Sequence, residues 1–163
     1  MLPEINLINL GEDNYSIEFT YLFNKPQKDV WSFLTDKSLM KKWWSDLSLI
    51  DEIEVGNHLH YTDQNKNEQH AEILAFDSPR LFSFTWSMGF IKIELSSTNH
   101  SETYLAFQYW VPLITDQSHH ELSQWILNLE LLETLLNNKE AIDKKSRYYQ
   151  IDQYVEKLIK EYI

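Results

Sequence analysis

The chain has 163 residues and carries 14 basic against 25 acidic side chains, a net charge of −11. One domain is the expectation at roughly 100–200 residues per domain, and the acidic balance excludes a nucleic-acid binder, whose affinity would come from neutralising phosphates. The glycines Gly11, Gly56 and Gly89 stand too far apart to build a phosphate-cradling loop, and cysteine is absent, which removes disulfides, thiol nucleophiles and Cys-ligated zinc.

The N-terminal residues Met1-Leu2-Pro3-Glu4-Ile5-Asn6 have neither the basic nor the apolar region of a signal peptide. The longest uncharged run, residues 103–115, falls short of the ~20 residues of a spanning helix. A cytoplasmic protein with no membrane contact is therefore expected. Aromatic residues are abundant at 14% of the chain, six of them Trp, so the inside of the fold must be built largely from rings.

Residues 1–14 show no sustained period and read as a leader that ends in the turn Gly11-Glu12-Asp13-Asn14. A strand follows, with Tyr15, Ile17, Phe19, Tyr21 and Phe23 on one face and Ser16, Glu18 and Thr20 on the other. Pro26 breaks it, because proline cannot donate to a ladder. Two short helices are predicted next, the first carrying Val30, Phe33 and Leu34, the second capped within Asp36 to Ser38 and carrying Leu39, Met40, Trp43 and Trp44. One Trp of the Trp43-Trp44 pair is expected to pack, the other to sit at a cavity mouth or on the surface, where a partner could meet it.

From Leu47 to Val111 the sequence reads strand after strand. Leu59 and Tyr61 alternate with His58 and His60 before the polar turn 63–67; Ala71, Ile73 and Ala75 lead to Asp77-Ser78-Pro79; Phe82, Phe84 and Trp86 alternate with Ser83 and Thr85. Gly89 turns the chain into Ile91, Ile93 and Leu95, and a turn at 96–101 precedes Leu105, Phe107 and Tyr109. Connections this short favour an antiparallel meander with one buried face.

A long helix is predicted over residues 118–137. Leu122, Trp125, Ile126, Leu129, Leu132 and Leu136 form one apolar stripe, and Leu127, Leu131 and Leu135 form a second, centred about 180° from Leu122. The sheet can cover only one of these. A C-terminal amphipathic helix bearing Ile151, Val155, Leu158, Ile159 and Tyr162 is the expected second cover, with a homodimer contact through the Leu127/Leu131/Leu135 stripe or that helix as the alternative. Residues 138–163 carry a net +1, leaving −12 on the rest.

Strand, two short helices, antiparallel strands and a long helix is the helix-grip order, an α+β fold in which a curved antiparallel sheet wraps a long helix. Val30-Trp31, Leu34-Thr35-Asp36, Leu39 and Trp43, then Pro79-Arg80-Leu81 with Thr85-Trp86, then Thr103-Tyr104-Leu105, then Trp125, Leu129 and Leu132 together resemble the SRPBCC (START-like) superfamily. Within it they resemble the branch named after the C-terminal domain of the activator of heat-shock-protein ATPase. The resemblance covers residues 15–137, with residues 1–14 and 138–163 outside it; Gly56-Asn57 stands where the family usually shows a Gly pair. Co-chaperone members carry a separate N-terminal chaperone-binding domain that 14 residues cannot supply, so the resemblance implies the fold more than chaperone activation.

The resemblance also implies a cavity between sheet and long helix, in which relatives hold apolar or aromatic small molecules. The inward positions here would be Phe19, Tyr21, Tyr61, Phe82, Phe84, Trp86, Phe107, Tyr109, Trp125, Leu129, Leu132 and Glu133. Rings with a few phenol and indole donors suit a planar, poorly soluble ligand, or they simply fill the core. A non-enzymatic binder of a small apolar or aromatic molecule is the expected function. Its rivals are a cyclase- or dehydratase-like enzyme on the same cavity and a stress-related or co-chaperone-like interaction module with a filled core. For the enzyme, Glu133 is the candidate base, about 20° from Leu122 on the helical wheel. No cofactor and no metal are expected: His58 and His60 share a strand face with His70 nearby, but Leu59 and Tyr61 claim the core side and no carboxylate lies at ligand spacing. His119-His120 would serve the surface of the long helix.

Overall fold

A computed structural model of the protein describes residues 2–12, 14–50 and 52–162, leaving out the side chains of Leu49, Ile50 and Tyr162. The elements in chain order are β1 (Asn6–Gly11), β2 (Asn14–Phe23), α1 (Gln27–Thr35), α2 (Lys37–Trp43), β3 (Leu47–Ile50), β4 (His58–Thr62), β5 (Glu68–Asp77), β6 (Leu81–Trp86), β7 (Gly89–Asn99), β8 (Glu102–Val111), α3 (Asp116–Leu136) and α4 (Lys144–Tyr162). The eight strands form one antiparallel sheet in the order β1-β2-β8-β7-β6-β5-β4-β3. This is the expected α+β helix-grip architecture. Among the described residues, no helix is long and apolar enough to cross a membrane.

Alternation dictates the inner face. Ile17, Phe19, Tyr21 and Phe23 of β2 are buried, as are Phe82, Phe84 and Trp86 of β6, Ile91, Ile93 and Leu95 of β7, and Leu105, Phe107 and Tyr109 of β8. The segment before Tyr15 supplies a strand that the sequence pattern does not announce. β1 is an edge whose single buried side chain is Leu7, so no alternation develops. Gly11 (φ +87°) and Glu12 (φ +52°) turn the chain from β1 toward β2; Asp13 lies outside the described residues. β7 and β8 pair as far as Asn99 and Glu102, which shortens the turn expected over 96–101. The β7 end stands exposed, so burial leaves no periodic trace in the sequence there.

Gly89 opens β7 where the backbone passes close to β8. A Cβ at this position would stand 1.8 Å from the carbonyl oxygen of Trp110, so the side chain is excluded by close approach to the neighbouring strand. Gly89→Ala is expected to lower stability by about 1–3 kcal/mol, the usual scale of forced overpacking, read as a lower urea midpoint. An unchanged midpoint would show that the strands part there at no cost.

α2 is capped by Asp36, which accepts from the Ser38 amide at 2.9 Å. α3 starts earlier than expected because Thr115 and Ser118 form a reciprocal capping box, their side chains bonding each other's backbone amides at 3.2 and 2.6 Å. α4 packs on α3, burying Ile151 and Val155 completely, with Leu158 and Ile159 against the core. The Tyr162 side chain lies outside the described residues. The second Leu stripe divides: Leu127 is buried and Leu131 packs against the core, whereas Leu135 lies beside Phe33 and Leu39 in a shallow surface groove. A helix of 3.6 residues per turn rotates away from a neighbour crossing it, so one cover does not reach all three.

Polar contacts fix the seam between the two helices. Arg147 of α4 donates to both carboxylate oxygens of the buried Glu130, at 2.7 and 2.5 Å. Asp152 of α4 receives Ser123 at 2.7 Å and lies 3.2 and 3.1 Å from His119 and His120. The two histidines thus tie α3 to α4, where the sequence suggested a surface role.

Candidate functional site

Of the two arrangements the sequence allows, rings around a space or rings filling it, most of the interior follows the second. Phe19 stacks on Phe107 at 4.6 Å, Phe82 meets Phe84 at 5.1 Å, and Leu129 and Leu132 of α3 are fully buried among such side chains. Tyr21 is buried with a hydroxyl that has no hydrogen-bond partner among the described residues, and burial, then Glu130 and Glu133, push its pKa well up. Glu133 sits near the end of α3, where its carboxylate pairs with Lys139 at 2.5 Å. It lies outside the cleft described next.

Space remains at the other end of α3. A cavity of about 70 Å³, open to solvent, is floored by Trp44, Tyr61, Trp86 and Trp125 and rimmed by Asp46, Thr62 to Asn65, Gln117, Glu121, Gln124 and Asn128. Each floor ring comes from a different element. Trp44 follows α2 and meets Trp125 of α3 at 4.9 Å and Trp86 of β6 at 5.7 Å; Tyr61 of β4 stacks on Trp86 at 4.0 Å. Both residues of the Trp43-Trp44 pair are therefore inside: Trp43 packs and donates to the Phe33 carbonyl at 2.7 Å, and Trp44 floors the cleft. Of the inward positions expected from the sequence, Tyr61, Trp86 and Trp125 line this cavity; Phe19, Tyr21, Phe82, Phe84, Phe107, Tyr109, Leu129 and Leu132 pack in the core.

Two features of the floor and wall bear on chemistry. Among the described residues, the indole nitrogens of Trp86 and Trp125 are buried with no hydrogen-bond acceptor, a condition that costs about 1–3 kcal/mol per donor. Glu121 accepts from the Tyr109 hydroxyl and from Gln117, both at 3.0 Å. Burial pushes its pKa up, against the lowering effect of those bonds and of one from Ser87. Asp46 is likewise raised by partial burial, with Lys144 opposing. Tyr61 and Tyr109 are driven upward by burial and then by Glu121.

The stripe Gln117, Glu121, Gln124, Trp125 and Asn128 falls at i, i+4, i+7, i+8 and i+11, one continuous face of α3. That run of polar side chains around Trp125 on one face of α3 is the signal by which the sequence could have located the site.

A carboxyl whose folded pKa exceeds its unfolded value contributes stability below the unfolded pKa and loses it as pH rises through the folded one. Glu121 therefore favours folding in acid and opposes it at neutral pH. The non-titrating Glu121→Gln is expected to gain in melting temperature relative to wild type between about pH 4 and pH 7. A difference independent of pH would mean that Glu121 titrates as a solvated carboxyl.

Metal-ligand candidates lie elsewhere. Among the described residues, the ligand atoms of His119, His120 and Asp152 lie within 4.8 Å of one another and would be the set to hold a cation. His58, His60 and His70 do come together across β4 and β5, with His60 and His70 rings at 4.6 Å and His58 at 6.5 and 6.3 Å from them.

A curved antiparallel sheet gripping one long helix, with a cleft at the helix end, defines a protein of the SRPBCC, START-like class. Residues 24–132 match the family described as activator of Hsp90 ATPase homolog 1-like protein, and the chain belongs to that family. Solved structures similar to it include a conserved protein of unknown function from Enterococcus faecalis, at 19% identity and a TM-score of 0.82, covering 98% of this chain and 91% of that one. CalU16 from Micromonospora echinospora is 18% identical with a TM-score of 0.73, covering 98% and 99% of the two chains. The Aha1 dimer from Colwellia psychrerythraea is 17% identical with a TM-score of 0.61, covering 74% and 95%. Likeness at these identities concerns the fold. No curated protein matches the sequence.

Proposed function

We propose that the protein binds a small organic molecule with an aromatic or apolar body, seated over Trp44, Tyr61, Trp86 and Trp125. The observation that carries this reading is a solvent-open cavity lined by four aromatic side chains, two of which, Trp86 and Trp125, have indole nitrogens that are buried without an acceptor among the described residues. A ligand oxygen reaching either nitrogen would satisfy a donor that the fold leaves unpaired, and ring faces would supply apolar contact area. The rest of the ligand would extend past the open rim.

A naphthalene-type dye is expected to gain fluorescence with the protein and to lose the gain when Trp86→Ala opens the floor. Native mass spectrometry of protein purified from its own host is expected to show a retained small molecule. Absence of both signals removes the proposal.

One observation favours a catalytic version of the same cavity: Glu121 is a desolvated carboxyl hydrogen-bonded to a tyrosine, an arrangement suited to proton transfer. In a cyclase- or dehydratase-like enzyme, Glu121→Gln would abolish turnover of a polyketide-like substrate and leave its affinity within a few-fold. The family also leaves room for a co-chaperone-like module, and the dimeric state of the Colwellia protein for self-association. The dimer contact would have to avoid Leu127, which is buried.

A further inference from the structure

The charge of the cleft narrows the ligand further. Among the described residues, its ionisable lining consists of Asp46, Asp63, Glu121 and Tyr61, without lysine or arginine; Lys66 lines the adjoining groove that shares Asp46 and Asp63. Lys144, the cation that acts on Asp46, lies on α4 outside the lining and is exposed. Among the described residues, neither Asp46 nor Glu121 has a salt-bridge partner, and Glu121 accepts from neutral donors, Tyr109, Gln117 and Ser87. The site thus holds carboxylates without a direct ion-pair partner among the described residues, beside indole faces that attract cations.

A carboxylate or phosphate ligand would be repelled by three acidic groups, of which Asp46 and Glu121 are partly desolvated, and a neutral one would leave those two without a charged partner. A purely cationic group would in turn leave the Trp86 and Trp125 N–H donors without an acceptor. One ligand chemistry answers both conditions. We propose that the cleft takes a protonated amine joined to an aromatic or apolar body bearing a hydroxyl, ether or carbonyl oxygen. The ammonium lies toward the acidic side chains of the rim, and the oxygen meets a floor indole. This assignment rests on the reading of the cleft as a ligand site and adds the class of ligand.

Tyramine, tyrosol and 4-hydroxyphenylacetate share a phenol and differ in the terminal group, which is amine, alcohol or carboxylate. Calorimetric titration of the full chain with each is expected to rank them in that order, with the amine about tenfold tighter than the alcohol at low salt. The gap is expected to shrink with added salt and to narrow in Glu121→Gln and in Asp46→Asn. The wild-type ranking decides the matter even if a variant fails to fold. Equal affinity for amine and alcohol overturns the inference while leaving the cleft a ligand site, as does binding of the naphthalene dye with none of the three probes. Failure of the dye and of all three probes to bind removes the underlying reading itself.

Discussion

Arg147→Ala is expected to lower the unfolding free energy by about 3–5 kcal/mol, the cost of leaving a buried charge without its partner. Glu130 is 9% exposed. Its two oxygens are held by the Arg147 guanidinium in a bidentate pair, and the same guanidinium donates to Gln150 at 3.0 Å. With arginine removed, the carboxylate is stranded between α3 and α4 near Tyr21, whose own pKa is already raised by Glu130. Replacing both members by neutral residues of similar size, Arg147→Met with Glu130→Gln, is expected to restore most of the loss, because the penalty is that of an unpaired charge. Urea unfolding of the single and double variants measures this. A single variant within 1 kcal/mol of wild type would show that water reaches Glu130 and that the pair contributes only what a surface bridge does, about 0–1 kcal/mol.

The seam also shows where sequence reasoning succeeds and where it stops. Ile151 and Val155 announce their burial by spacing alone, since helical periodicity fixes the face a residue occupies. Periodicity does not fix the height of that residue along the axis. Glu133 shares its wheel angle with Leu122, yet it sits at the far end of α3, paired to Lys139. Glu121 lies about 18 Å away along a helix rising 1.5 Å per residue, and there the cavity opens. The angle was legible; the end of the helix that faces the open part of the sheet was not, because the position of the 63–67 turn and of Trp44 decides it. β1 escaped for a different reason: an edge strand with one buried side chain carries no alternation. The inner faces of β2, β6, β7 and β8, buried on one side only, could be read directly from theirs. The Trp43-Trp44 pair was legible in part, since α2 spacing places one ring inside, and the second is buried only because Trp86 and Trp125 arrive from distant elements to meet it.

Trp125 is where fold and site meet, and its replacement separates the two. The ring contacts Trp43, Trp44, Phe84, Trp86 and Phe107, at 6.3, 4.9, 5.8, 5.1 and 5.8 Å between centroids. Trp125→Ala is expected to cost about 3–5 kcal/mol, the range for deleting a large buried aromatic side chain. The space it leaves would merge with the cleft while the stacked Tyr61–Trp86 pair, which Trp86→Ala destroys, stays in place, so the naphthalene dye is expected to bind this variant with undiminished or greater fluorescence gain if it remains folded. Trp125→Phe keeps a ring in the cluster and removes an indole N–H that has no acceptor. Two opposing effects then act, a smaller cavity and relief of an unsatisfied donor, and the expected net loss is under about 1.5 kcal/mol. The same substitution should weaken a ligand oxygen bound at that nitrogen. A Phe variant as unstable as the Ala variant would mean that the indole nitrogen is satisfied in solution, and with it would go half of the argument that this cleft awaits an acceptor.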